Sequence, residues 1–148
     1  MHNGLAHAWI DTLVIDPRNP RTLHAGVILG GVYKTTDGGE HWQGVNEGIY
    51  DLQSHEWVSI VAMDPMDSQH LYYALPGRAQ IYQSMDGGRS WARVQTSACP
   101  DLVVSLVVSP IDGNRLFAAN FATDETARCP GGVYKSEDAG KTWTLTGL

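Results

Sequence analysis

An octapeptide met three times, a register kept around it, and four short strand-like runs per unit predict an all-β chain: a β-propeller segment of three four-stranded antiparallel blades. The octapeptide is Thr35-Thr-Asp-Gly-Gly-Glu-His-Trp42, returning as Ser84-Met-Asp-Gly-Gly-Arg-Ser-Trp91 and Ser136-Glu-Asp-Ala-Gly-Lys-Thr-Trp143, with starts 49 and 52 residues apart. Upstream, Asp16-Pro17, Asp64-Pro65 and Ser109-Pro110 correspond. Six residues beyond each proline stand Leu23, Leu71 and Leu116, and two residues before each octapeptide stand Tyr33, Tyr82 and Tyr134.

The elements follow in order. The first strand of each unit is an almost continuous apolar run (residues 9–15, 57–63 and 102–108), as expected of a strand buried on both faces. A proline turn ends it. The second strand starts at the aligned leucine, and the third is Gly-Val-Tyr-Lys at 31–34, Gln-Ile-Tyr-Gln at 80–83 and Gly-Val-Tyr-Lys at 132–135. The fourth opens at Trp42, Trp91 or Trp143. The chain is expected to be one domain over residues 1–148, with blades at about 9–49, 57–97 and 102–148.

Length and composition bound the function classes. A chain of 148 residues buries roughly two thirds of its unfolded surface, enough for a real core. With ten Lys and Arg scattered singly and a net charge of -6, no basic stripe exists for a phosphate backbone, so nucleic acid is excluded as a partner. No apolar run approaches the roughly 20 residues of a membrane span. The first residues lack the pattern of a signal peptide, which fits a cytoplasmic protein or one whose leader has been replaced by a start codon.

In the octapeptide a hydroxyl residue, an aspartate two later, a glycine two after that and a tryptophan three further on fit a hairpin between strands three and four. The carboxylate accepts backbone N–H groups of its own turn, the glycine takes positive φ, and the indole packs into the blade. Thr35, Asp37, Gly39, Trp42, Ser84, Asp86, Gly88, Trp91, Ser136, Asp138, Gly140 and Trp143 are therefore read as structural. Glu40 and His41 give way to Arg89 and Ser90, then to Lys141 and Thr142. A catalytic acid or calcium ligand would not recur once per blade with changing neighbours.

These segments resemble the Asp-box, or bacterial neuraminidase repeat, of sialidases, xyloglucan-hydrolysing glycosidases, sortilin-type receptor domains and a photosystem II assembly factor. The resemblance covers essentially the whole chain; Ala139 and Ser109 depart from the pattern mildly. It implies the propeller fold and leaves function open, since the motif occurs in enzymes, receptors and assembly factors alike. It also implies that ligands meet the face opposite the octapeptides, or the central channel.

Propeller topology puts the octapeptides on the lower face and the two-to-three loops and blade links on the upper one. Upper-face segments are residues 27–30, 48–56, 75–79, 96–101 and 121–131. The link at 49–56 carries an aromatic ring, two carboxylates and a histidine, and the loop at 121–128 is an insertion; long loops on a rigid scaffold tend to carry function. Tyr50, His55, Trp57, Arg78 and Arg128 are the ligand-binding candidates. A glycosidase needs two carboxylates about 5 to 9.5 Å apart, and Asp51 or Glu56 with Asp124 or Glu125 are the candidates. With only Arg78 and Arg128 on this face, the arginine clamp of a sialidase is poorly supported. The histidines show no ligand spacing in one element and no phosphate loop precedes a helix, so no metal or cofactor is expected.

Cys99 and Cys129 each precede a proline and fall on the same face of the third blade. A disulfide there would close a loop of about 30 residues, worth roughly 3 to 4 kcal/mol. If it forms, the compartment is oxidising, extracellular or periplasmic; if not, cytoplasmic.

Propellers close with about four to eight blades, and three leave apolar flanks open. The flanks would be covered by a second copy in a six-bladed head-to-tail ring, by further blades of a larger propeller, or by another protein. The first functional reading is a non-catalytic binding or assembly module that presents its upper face to a protein or glycan. The alternatives are a glycoside hydrolase using the upper-face carboxylates and a structural subunit of a larger complex.

Overall fold

The structure is a computed structural model that describes residues 4–5, 7–50, 60–75, 80–96, 99–122 and 128–147. Blade 1 contains β1 (Ile10–Ile15), β2 (Leu23–Val27), β3 (Gly31–Thr35) and β4 (Gln43–Gly44). Blade 2 contains β5 (Ile60–Asp64), β6 (Asp67–Leu75), β7 (Gln80–Ser84) and β8 (Ala92–Val94). Blade 3 contains β9 (Val103–Ser109), β10 (Asp112–Asn120), β11 (Gly132–Ser136) and β12 (Thr144–Leu145). Each blade is a four-stranded antiparallel meander in chain order, and there is no helix among the described residues. These are blades of a β-propeller.

Two expectations are corrected. In blades 2 and 3 the second strand starts four residues before the aligned leucine, at Asp67 and Asp112. In blade 1 the position matching Ser68 and Gly113 is Pro20, which has no N–H for the ladder, and β2 starts at Leu23. The first strands are also not all buried on both faces. β5 is almost entirely buried, whereas Leu13 and Ile15 of β1 are 58% and 52% exposed and Val107 of β9 is 54% exposed. Among the described residues, only the middle blade has a neighbour on each side.

That difference resolves into two kinds of face. Between blades 1 and 2, Val14, Val32 and Val45 pack on Val61, Leu71, Tyr73, Tyr82 and Trp91. Between blades 2 and 3, Ala62, Tyr72, Ala74 and Ile81 pack on Leu106, Leu116, Ala118, Tyr134 and Trp143. In repeat register the two junctions use the same positions. Each blade therefore has an outgoing face, offered to the next blade, and an incoming face that receives the blade before it.

The octapeptides build one hairpin three times. The hydroxyls of Thr35, Ser84 and Ser136 donate to Oδ1 of Asp37, Asp86 and Asp138 at 2.7, 2.8 and 2.8 Å. The same hydroxyls accept the N–H groups of Gly39, Gly88 and Gly140. Each aspartate also accepts the backbone N–H four residues on, from His41, Ser90 or Thr142, at 3.0, 2.9 and 2.8 Å. Its second oxygen takes a side-chain donor from that same residue, the His41 ring or the hydroxyl of Ser90 or Thr142. The variable position thus varies in residue type while keeping a donor.

Those hydrogen bonds favour the carboxylate form. Burial opposes them at Asp86, yet the Ser90 hydroxyl and N–H and the Ser84 hydroxyl hold that carboxyl down to about 2. The Thr142 hydroxyl and N–H do the same for Asp138, also to about 2. Asp37 is lowered as well, first by the His41 N–H, then by Thr35 and the His41 ring.

The octapeptides also join blades. Gly87 and Gly88 of blade 2 lie beneath blade 1, where the Gly87 carbonyl accepts from Lys34 Nζ at 2.7 Å and bonds His24 Nε2 at 3.0 Å. His24 is 1% exposed, because its strand position lies on the outgoing face. The residues linking blade 1 to blade 2 then cross Trp91: Trp91 N–H donates to Glu47 O and its indole donates to Val45 O, both at 2.8 Å.

Candidate binding face

The strand registers sort the loops into two ends. Val27 pairs with Gly31, Leu75 with Gln80 and Asn120 with Gly132, so the two-to-three loops leave from one end, together with the blade links. The octapeptides leave from the other end, tied to the one-to-two turns by Gly38 N–H to Arg21 O, Gly87 N–H to Gln69 O and Ala139 N–H to Asn114 O.

At the upper end of blade 3 the backbone is fixed by side chains. Asn120, the last residue of β10, accepts the Leu102 N–H at 2.8 Å through its carbonyl, and its amide donates to Cys129 O and Pro130 O at 3.2 and 3.1 Å. The Tyr134 hydroxyl donates to Pro130 O at 2.9 Å. Burial, reinforced by the charge of Asp101, pushes that phenol's pKa up. A disulfide joins Cys99 in the incoming link to Cys129 in the two-to-three loop, with Cα atoms 5.4 Å apart and Cys129 fully buried. Blade 1 uses a simpler form of the same device. The Asn46 carbonyl accepts the Val32 N–H at 2.7 Å and its amide donates to Gly30 O at 3.0 Å.

On this scaffold sit side chains that burial does not explain. Tyr50 is 88% exposed, Trp9 65%, Leu29 58% and Phe121 54%, and Arg128 is exposed beside Cys129. Ile28 N–H donates to Trp9 O, placing Trp9 next to the two-to-three loop of blade 1. Trp9 and Phe121 were not singled out from the sequence. Trp9 opens the apolar run read as a strand buried on both faces, and it stands just before β1 on the side of blade 1 that no other blade covers among the described residues.

Of the candidates read from the sequence, Tyr50 and Arg128 are at this end and exposed. Asp51, His55, Glu56, Trp57, Arg78, Asp124 and Glu125 lie outside the described residues. At the lower end, ligand-type atoms of Asp37, Glu40 and His41 come within 4.8 Å of one another. Both Asp37 oxygens there are already engaged by Thr35 and His41 within the hairpin.

Replacing Cys99 and Cys129 with serine is expected to lower the unfolding free energy by about 3 to 4 kcal/mol, the closure entropy of a loop of roughly 30 residues. Equilibrium denaturation with and without reductant checks this: reductant should destabilise the native chain and leave the double variant unchanged.

Comparison with known proteins is consistent with this architecture. Residues 30–147 match the family described as Sortilin, neurotensin receptor 3 (Sortilin-Vps10). A xyloglucanase of Hypocrea jecorina is 26% identical over 95% of this chain and 18% of its own length. The photosystem II assembly lipoprotein Ycf48 of Synechococcus is 28% identical over 76% of this chain and 29% of its own length. A solved structure of Ycf48 bound to a D1 peptide superposes with a TM-score of 0.70 at 16% identity, over 93% of this chain and 40% of that one. The chain thus spans less than a third of the length of either curated relative.

Proposed function

The chain belongs to the Sortilin-Vps10 family, and on that premise we propose that it is a non-catalytic binding or assembly segment that presents its upper-face loops to a protein partner. The observation that carries this reading is the upper end of blade 3. There the disulfide, the Asn120 bonds and the Phe121 N–H bond to Leu102 O hold the described backbone at Phe121 and at Cys129–Pro130, beside Arg128. Backbone held in this way loses little entropy on binding. Exposed aromatic rings and a guanidinium are the groups that dominate peptide interfaces, and the guanidinium favours a carboxylate on the partner. The solved Ycf48 structure bound to a D1 peptide supports a peptide as the ligand. The disulfide fits an oxidising compartment, extracellular or periplasmic. The open flanks fit a segment that works within a ring, closed by a second copy or by other propeller blades.

A second reading, a glycoside hydrolase acting on a xyloglucan-like glycan, is favoured by the xyloglucanase similarity across 95% of the chain. Asp51, Glu56, Asp124 and Glu125 would supply its carboxylates.

Both readings are tested by screening the protein against a peptide array and a panel of xyloglucan oligosaccharides. Peptide binding weakened about tenfold by Tyr50→Ala, Phe121→Ala or Arg128→Ala is the expected result, matching roughly 1 to 2 kcal/mol for a hot-spot side chain. Oligosaccharide hydrolysis that disappears in Asp51→Asn or Glu56→Gln would replace the first reading with the second.

A further inference from the structure

Within the blades, two described residues other than glycine hold a positive φ, Ala139 at +59 and Leu29 at +58. Such backbone is costly for any residue with a Cβ, and a bulky one adopts it only where something holds it there. Ala139 is explained by its octapeptide. It stands where Gly38 and Gly87 stand in the other two copies, also at positive φ. Its N–H donates to Asn114 O, and it packs against the core between blades 2 and 3. Leu29 has no such account. It is the third residue of the turn Val27–Gly30, which the Gly30 N–H closes onto Val27 O at 2.9 Å. Glycine or asparagine fills that turn position at least cost when φ is positive. The leucine side chain does not offset the cost by packing, being 58% exposed and outside both hydrophobic cores.

The loop that carries Leu29 is held from both sides. Ile28 N–H donates to Trp9 O at 3.0 Å. The Asn46 amide donates to Gly30 O at 3.0 Å while its carbonyl accepts the Val32 N–H at 2.7 Å. A Cβ on Gly30 would lie 2.8 Å from Val27 Cγ1, so the turn sits tightly on Val27, itself buried. The exposure of Leu29 does not depend on blade 1 lacking a neighbour. Of the two junctions between blades, neither core includes a described residue of a two-to-three loop. A blade packed on blade 1 in the same way would leave Leu29 uncovered.

We propose that Leu29 is an apolar anchor of the upper face, packing against an aliphatic or aromatic side chain of the bound peptide. Strain kept at a residue that the fold does not need points to a functional contact, and fixed backbone presents the side chain already in place. Its side chain has no polar atom, so the group that meets it is apolar. Tyr50, exposed on the blade link at the same end, extends the contact. A net charge of -6 makes an anionic lipid surface the less favourable alternative. The inference rests on the upper-face peptide reading and names one specificity contact within it.

Leu29→Ala and Leu29→Gly in the full chain separate the side chain from the backbone. Both should raise the Kd of the tightest-binding array peptide at least tenfold, while Leu29→Met binds close to wild type. Leu29→Gly should also raise the urea midpoint, because it relieves the left-handed backbone; Leu29→Ala keeps that backbone and should leave the midpoint unchanged. In the peptide, serine at one aliphatic or aromatic position should weaken binding to the native chain and not to Leu29→Ala. Wild-type affinity in Leu29→Ala and Leu29→Gly, with Tyr50→Ala or Phe121→Ala weakened, overturns the anchor and leaves the peptide reading standing. A native chain that binds no peptide on the array overturns both. A lower urea midpoint in Leu29→Gly would make Leu29 part of the fold, and overturns the proposal as well. Binding to phosphatidylcholine vesicles that is lost in Leu29→Ala, with peptide affinity unchanged, overturns it in favour of a membrane surface.

Discussion

Gly48→Ala is expected to cost about 2 to 5 kcal/mol and to loosen blade 1 from blade 2. Gly48 has φ +89, and a Cβ there would lie 2.0 Å from the backbone oxygen of Trp91. Backbone cannot give way as a flexible side chain can, so either the link or the fourth strand of blade 2 must move. The link carries the Glu47 carbonyl that accepts the Trp91 N–H, and Glu47 bridges Ser90 in parallel pairing. A left-handed conformation costs an alanine roughly 1 to 2 kcal/mol, and overpacking adds roughly 1 to 3. Gly38→Ala is the matched control: φ is +81, but the new Cβ meets nothing within 4 Å. It should cost only the conformational term, about 1 kcal/mol. Urea unfolding of the two variants checks the difference. Equal costs would mean that the link does not hold the blades together.

Stability is expected to fall by about 3 kcal/mol between pH 6.5 and pH 4 on account of His24 alone. Burial lowers the pKa of this imidazole from 6.5 to about 4; its bond to Gly87 opposes the shift, while Lys34 adds to it and Asp16 resists it. The unfolded chain takes up a proton near pH 6.5 that the folded chain refuses until about pH 4. Stability therefore rises with pH across that window and is greatest above it, and about 2.5 pKa units at 1.36 kcal/mol each gives the magnitude. The octapeptide aspartates shift the same way, with Asp86 and Asp138 depressed from 3.8 to about 2. Their contribution is present above pH 4 and is lost as pH falls toward 2. Acid unfolding should therefore be graded in two stages. His24→Phe, which places at this position the residue that blade 3 has as Phe117, should flatten the upper stage and spare the lower. Denaturant midpoints from pH 3 to pH 8 measure both, and an unchanged slope above pH 4 in His24→Phe would remove His24 as the cause.

The fold was legible because a period of about 50 residues forces every blade to reuse the same positions, so Asp86 explains Asp37. The upper-face loops carry no such redundancy. The link at 49–56 and the loop at 121–128 each occur once, so no second copy fixes their geometry. The burial of His24 was not legible either, and for a physical reason. A lone histidine in a strand says nothing of which face it occupies until the junctions assign outgoing and incoming positions, and blades 2 and 3 show at that position the apolar bodies of Tyr72 and Phe117. The exposed Leu13 and Ile15 were misread in the opposite direction: their sequence is that of a buried strand, and among the described residues no blade packs on that side of β1.

The division of labour, octapeptides as staples below and ligand loops above, is tested most directly by amide hydrogen exchange. The chain would be followed with and without the tightest-binding array peptide. Protection gained at residues 28–30, 48–50, 99–102 and 121–131, with the turns at 36–41, 85–90 and 137–142 unchanged, is the predicted result. Protection gained at those turns and not at the upper loops would place the ligand on the staples and contradict it.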